Sequence, residues 1–435
     1  MARKLEIVHP HAAGIDIGSK SYYVDAGQEA IKVFPTFTDD CNQLCDYLKD
    51  LGITTVALES TGVYWVILYS VLEQAGIEVY VVNGRDVKNV PGRKSDVKDC
   101  QWLRQLHSYG LLRKSFIPDA GIRKVRSYLR LRQDHIRAAA TQVHLMQKAL
   151  TQMNIRLAEV ISDIVGVSGL RVITAIVAGE RSAEALTNLC VAKLLEKKKE
   201  MVLKSLKGHY SDEHLFALKH ALNTWHYYNK LITECDKEIE KQLTEMTADR
   251  DNIEVPGKRK MVRYHKPEIA DLHLPLLKLT EGKDPTGIAG ITDYSFLQIV
   301  SEVGVDMKPW PTEKHFTSWL KVAPMRASSG KMSKRITMRR HNNAGQLFRN
   351  VAQGILTGKH LALGSFGRRI RARRGSAVAI KAIARKIACY YYRVMTKGGT
   401  FVAEGIATYE QYLENQKLKH LEKMALKLNM KLSPI

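Results

Sequence analysis

Residues Gly14 to Lys20 read "GIDIGSK": a short apolar strand carrying one carboxylate, Asp16, and stopping at a Gly-Ser turn. Two chemistries use such a unit. A glycine turn after a strand can cradle a nucleotide phosphate with backbone amides. A strand-borne acid can instead hold a metal ion against a nucleic-acid backbone. The nucleotide use needs further Gly-rich phosphate loops later in the chain. Gly18-Ser19-Lys20 is too short for a P-loop, and no G-x-x-x-x-G-K-[ST] occurs.

The bulk numbers favour nucleic acid. The chain has 435 residues, enough for two or three domains, and its 45% hydrophobic content can fill real cores. Its 67 Lys and Arg against 44 Asp and Glu give a formal charge of +23, which points to a polyanionic partner. No apolar run approaches the roughly 18 residues of a membrane span. The expected location is the cytoplasm. The six cysteines are scattered without metal-ligand spacing and read as reduced and structural.

Working outward from "GIDIGSK", the segments "AAGIDIG", "SYYVDAG" and "IKVFPTF" read as an antiparallel meander. "DDCNQLCDYLKDLG" reads as a helix capped by Asp39 or Asp40 and stopped by Gly52. Then come strand "TTVALES", a helix from Thr61 to Gly76, strand "EVYVVN", and helix "SDVKDCQWLRQLHSYG" capped by Ser95. Three strands followed by helix, strand, helix, strand, helix is the order of an RNase H-like (RuvC-like) α/β domain over residues 1–117. Residues 118–275 read as a helical linker region, either a coiled-coil or two-helix arm or a plain helical bundle. Apolar side chains recur at helical spacing from Asp119 to about Glu159 and from Asp212 to about Met246. "VPGKRKMVRYHKPE" reads as an exposed linker. Residues 276–405 read as a basic, mainly α domain, and 406–435 as a C-terminal helix or tail.

Four carboxylates stand at informative places. Asp16 ends the first strand and Glu59 the fourth; Asp96 and Asp99, three apart, share one face of the third helix. Singly, each has an ordinary use as a turn residue, a helix cap or a first-turn acid. Together, in an RNase H-like sheet, they would converge and repel, and a divalent ion removes that penalty. Hard oxygen donors select Mg²⁺ or Mn²⁺, and two such ions can clamp the attacking and leaving oxygens of a phosphodiester.

The basic domain carries two more features. Gly287-Ile288-Ala289-Gly290-Ile291 has the form of a helix-hairpin-helix turn, whose amides can take a DNA phosphate. Between Glu313 and Glu404 there is no Asp or Glu. An acid-free window of that length should bind phosphate with steep salt dependence. Within it, Ser328-Ser329-Gly330 lies among Arg326, Lys331, Lys334, Arg335, Arg339 and Arg340. Chemistry alone leaves a phosphate-binding Ser-Gly turn and an activated serine nucleophile both open. Lys20, Arg93 and Lys94 are further candidate contacts to nucleic acid.

Taken together, "GIDIGSK", "ALESTGVYW", "NVPGRKSDVKDCQWLRQLHSYGLLRKSFIP", "GIAGI", "FTSWLKVAPMRASSGK" and "AIKAIARKIACYYYRVM" resemble the DEDD transposases, the insertion sequence 110 family (1111 group), related to Piv-type DNA invertases. The resemblance implies that Asp16, Glu59, Asp96 and Asp99 are the metal-binding tetrad. It implies that Ser329, with Ser328 as the adjacent alternative, attacks DNA and forms a phosphoserine intermediate. It further implies a structured noncoding bridge RNA that pairs with donor and target DNA, and assembly as homodimers and homotetramers. The family's Lys-x-Gly-Asn is replaced here by "MRRHNNAG", with His341 at the Gly position. The competing reading is a RuvC-like, metal-dependent nuclease or junction resolvase without serine chemistry.

Overall fold

The computed structural model describes residues 6–28, 30–84, 96–251, 253–254, 260–262, 264–324, 326–329, 332–335, 342–358, 362–398 and scattered positions of 415–430. It divides into two units, residues 1–117 and 118–435.

The first unit is a five-stranded mixed sheet in the order β3-β2-β1-β4-β5. Its strands are β1 (Ala12–Ile17), β2 (Ser21–Asp25), β3 (Lys32–Pro35), β4 (Thr55–Glu59) and β5 (Glu78–Val82). β1, β2 and β3 pair antiparallel, and β1, β4 and β5 pair parallel, as the RNase H-like reading expects. Alternation sorts the side chains. Ile15, Ile17, Val56 and Leu58 join a core with Leu44 and Leu48 of α1 (Thr38–Asp50) and Leu68 and Leu72 of α2 (Trp65–Gln74). The opposite face holds Ala57 and Val82 against Leu103 of α3 (Asp96–Ser108). Two local expectations change. Phe37 holds the α1 N-cap position, so Asp39 and Asp40 serve in the first turn, where they complement the helix dipole. α2 begins at Trp65 with Tyr64 at its N-cap, four residues later than the composition suggested.

In the second unit, α4 (Ala120–Gln152) and α9 (Asp212–Thr247) lie along each other. At 1.5 Å per residue each runs about 50 Å. They are antiparallel: Gly121 lies against Met246, Arg132 pairs with Asp236, and Met146 and Leu150 share a core with Leu218. α4 ends at Gln152 rather than near Glu159. Asn154 takes a left-handed φ of 54°, while Asn154 and Ile155 donate back to the carbonyls of Thr151 and Leu150, a Schellman close. The intervening segment forms α5 (Leu157–Val160), α6 (Val167–Ala178), α7 (Ala183–Asn188) and α8 (Ala192–Ser205).

The remainder is α10 (His273–Leu279), α11 (Asp293–Val303), α12 (Glu313–Trp319), a hairpin of β6 (Arg326–Ser329) and β7 (Met332–Arg335), then α13 (Asn343–Thr357), α14 (Ala362–Arg374) and α15 (Ser376–Lys397). It is mainly helical as expected, but Ser328 and Ser329 lie on strand β6 of the hairpin.

One buried ion pair ties the long helices together. Arg132 and Asp236 are each 1% exposed and meet through Nε–Oδ1 at 2.6 Å and Nη2–Oδ2 at 3.2 Å. Arg132 also donates to Tyr294 Oη and the His265 carbonyl, and Asp236 Oδ2 accepts from the Glu268 amide at 3.0 Å, so the buried pair is well supplied with hydrogen bonds. Removing one partner strands a buried charge. Asp236→Ala should cost about 3–5 kcal/mol in denaturant unfolding, while Arg132→Met/Asp236→Leu should cost less than either single change.

Candidate active site and nucleic-acid interface

The site in the first unit follows from strand register. Ile15 pairs with Leu58 across the parallel β1–β4 ladder, so the next residues, Asp16 and Glu59, lie side by side near the ends of adjacent strands. By alternation both project from the face that α3 covers, opposite Ile15 and Leu58.

What brings α3 so close is a floor of small residues. Gly14 pairs with Ala57 in the same ladder. A Cβ on Gly14 would lie 2.3 Å from the Cys100 carbonyl oxygen and 2.4 Å from the Arg104 amide nitrogen. α3 therefore rests directly on β1, two residues before Asp16. A second contact locks it: Arg104 Nε donates to Asp25 Oδ2 at 2.8 Å, and Asp25 is 4% exposed at the end of β2. Asp25 escaped the sequence reading because nothing local separates it from Asp16; both are aspartates at strand ends. Its partner lies 79 residues away.

Charge is concentrated at this junction. Burial, then the carboxylates of Asp25 and Asp16, push the Cys100 thiol up to about 12. Glu59 lies against Gly84, just past β5, where a Cβ would fall 2.0 Å from its Oε1. That glycine leaves a cradle for the carboxylate. Asp99 immediately precedes Cys100 and is half-buried. Asp96 opens α3, but its side chain lies outside the described residues. Among the described residues, no group of three or more His, Cys, Asp or Glu side chains is placed to hold a metal ion. The fold thus aligns Asp16 with Glu59 and lays the turn bearing Asp99 beside β1. Asp16 and Glu59 supply hard oxygen donors, the donor type a divalent ion takes.

The second unit holds the basic features. In the hairpin, Arg326 pairs with Arg335, Ala327 with Lys334, Ser328 with Ser333, and Ser329 with Met332. Ser328 and Ser329 are consecutive strand residues at alternate register positions. Lys331, Arg339, Arg340, and likewise Arg93 and Lys94, lie outside the described residues. After the hairpin, Asn342 caps α13: its Oδ1 accepts from Gly345 N at 2.6 Å and its Nδ2 donates to the Trp319 carbonyl at 2.8 Å. Arg369, Arg371, Arg373 and Arg374 on α14 are exposed, and so is Lys20 of the first unit.

Gly287 closes a 3-10 turn, is exposed, and has open space where a Cβ would be; Gly290 takes φ 80°. Only Gly adopts that φ without strain. Ile288 and Ile291 are buried. Below them, His273 is sandwiched between Asp293 (Nδ1–Oδ1 2.8 Å) and Asp284 (Nε2–Oδ2 3.4 Å). Burial opposes protonation, but the Asp284 carboxylate beside Nε2 and the Asp293 carboxylate hydrogen-bonded to Nδ1 carry the imidazole up to about 9.

Two family models match the chain. One, a transposase model for the DEDD domain of IS110 elements, covers residues 13–155. The other, Transposase IS116/IS110/IS902 family, covers residues 286–357. The chain belongs to the IS110 transposase family. It is an enzyme that acts on DNA, and a DEDD transposase domain implies divalent-metal dependence. No curated protein matches the transposase. Among its described residues, no helix is long and apolar enough to cross a membrane.

Two measurements probe this geometry. Gly14→Ala forces α3 of the transposase off β1 and should cost about 1–3 kcal/mol of stability. It should lower DNA strand cleavage further than the melting shift alone explains, because α3 carries Asp96 and Asp99. The second is pH dependence. The folded pKa of His273 is raised, so its contribution is whole below about 6.5 and is lost as pH rises through about 9. Unfolding followed from pH 6 to 10 should show a decline of about 3 kcal/mol, absent in His273→Gln.

Proposed function

We propose that this transposase is RNA-guided and cuts and rejoins DNA through Ser329, with Asp16, Glu59, Asp96 and Asp99 holding Mg²⁺ or Mn²⁺. The observation carrying this reading is the alignment of Asp16 and Glu59 on neighbouring strand ends, with α3 seated beside them through Gly14. The division of labour assigns residues 1–117 to metal binding and 118–275 to oligomerisation. Residues 276–405 carry the serine chemistry, and 406–435 form a tail.

In the covalent step, Ser329 Oγ attacks a backbone phosphorus. The new P–Oγ bond forms as the bond to one deoxyribose oxygen breaks. The serine proton passes to a carboxylate of the acidic site, and the departing sugar oxygen takes up a proton from water to leave as a hydroxyl. A divalent ion bound by the tetrad supplies Lewis-acid stabilisation of charge on the phosphoryl oxygens. Arg326, Lys334 and Arg335 belong to the same two paired strands as Ser329, and cations there would offset negative charge growing on the phosphoryl group. Lys331, Arg339 and Arg340 extend that cationic run in sequence, and Arg93, Lys94 and Lys20 do so near the acidic site. Gly287 and Gly290 shape the turn that receives a phosphate on its amides. In a homodimer or homotetramer, the acidic site of one subunit serves the serine of another. The guide is a structured bridge RNA that pairs with donor and target DNA.

The test is a protein–DNA adduct that survives denaturation. It should form in the wild type and in Ser328→Ala, vanish in Ser329→Ala and Asp16→Ala, and vanish on chelation. Full cleavage by both serine variants, with none by Asp16→Ala, would select the metal-only nuclease instead. Sequencing RNA that co-purifies with the transposase should yield one discrete species; random fragments would remove the guide from the reading.

A further inference from the structure

Lys260 lies in the segment that composition marks as a linker, and the reaction outlined above does not use it. Much of its surface is open, yet its ammonium is inserted among backbone oxygens of the glycine turn. Nζ donates to the carbonyls of Thr286, Ile288 (2.5 Å) and Ile291 (3.4 Å). An ammonium has three donors, and three carbonyls receive them. Partial burial of that ammonium lowers its pKa from the ordinary value, against the opposing charges of Asp284 and Asp293.

The geometry has an electrostatic and a conformational consequence. Asp284 and Asp293 flank the turn and would repel an approaching phosphate. His273, between both carboxylates, and Lys260, behind the turn, offset that charge. In a planar trans peptide the C=O and the following N–H point oppositely. Carbonyls of Thr286 and Ile288 held toward Lys260 therefore leave the N–H groups of Gly287 and Ala289 turned away from it. The next such amide, Thr292 N, is already taken by Ser295 Oγ at 2.7 Å.

We propose that Lys260 is a positioning residue for DNA binding, a built-in monovalent cation that holds the turn's carbonyls inward so that its amides face a DNA phosphate. The proposal rests on the reading of the Gly287–Gly290 turn as a phosphate contact.

The test uses the full-length transposase, a labelled DNA duplex, and two salts at equal ionic strength, potassium chloride and tetramethylammonium chloride. Lys260→Met empties the three-carbonyl cage. In tetramethylammonium, which is too large for the cage, its affinity should fall on the order of tenfold relative to wild type. Potassium should restore most of that loss, whereas wild type should bind alike in both salts. Lys260→Gln, which keeps donors at the cage without charge, should fall between. It carries the test if the Met variant melts below the assay temperature. Ala289→Pro separates the two levels of the argument. It removes one outward amide, and Ile288 at ψ 135° tolerates a following proline. If Ala289→Pro weakens binding while the folded Lys260 variants bind like wild type in either salt, the role of Lys260 is overturned. If Ala289→Pro also binds like wild type, the turn itself is not a DNA contact and both fall.

Discussion

The close seat of α3 on β1 is the contact on which the acidic site depends. Packed layers are normally held apart by intervening side chains, as stacked sheets are at about 10 Å. Gly14 and Ala57, paired across the parallel ladder, remove those side chains, and Gly14 lets the Cys100 carbonyl and Arg104 amide approach the strand backbone. The Arg104–Asp25 pair then holds the helix in register. Asp16 and Glu59 belong to β1 and β4, the third and fourth of the five strands, and are rigid on that account. The close approach of α3 depends on that glycine, and the ion pair and the Leu103 contact with Ala57 and Val82 hold the helix there. Donors carried on packed elements keep the tenths-of-an-ångström precision that metal-assisted phosphoryl transfer requires; donors on loops do not.

Charge in the second unit is less uniform than the sequence total suggests. Several arginines are committed internally. Arg132 is locked to Asp236, Arg126 and Arg130 to Glu302, and Arg393 to Glu313 through two hydrogen bonds. The exposed arginines of α14 have no nearby acid in sequence to neutralise them, because the window from Glu313 to Glu404 contains none. Positive charge available to a phosphate backbone is therefore a subset of the formal excess. It is concentrated where the chain omits acids rather than where cations are most numerous.

Most of the first unit was legible in the sequence. Apolar runs bounded by turn residues marked the five strands in order, and glycines marked the ends of α1 and α2, at Gly52 and Gly76 with φ of 67° and 80°. The errors were local and have local causes. Acids near a helix start can cap it or decorate its first turn, and Asp39 and Asp40 do the latter. The apolar stripe after Asp119 continues past Gln152, but an asparagine in the left-handed region ends the helix there. The serine hairpin was missed because "RASSGKMSKR" lacks the alternating apolar pattern of a half-buried strand.

By itself the sequence determined the order of elements, the four acids at element ends, the acid-free basic window and the glycine turn, because periodicity, caps and composition are local signals. The tertiary structure decided which acids become neighbours. "GIDIG" and "SYYVDAG" both deliver an aspartate at a strand end, yet Asp16 aligns with Glu59 while Asp25 is consumed by Arg104. The "linker" Lys260 likewise acquires its partners only when residues 286–291 fold back over its ammonium. Each of those outcomes depends on a partner tens of residues away, and one-dimensional pattern carries no record of which distant group arrives.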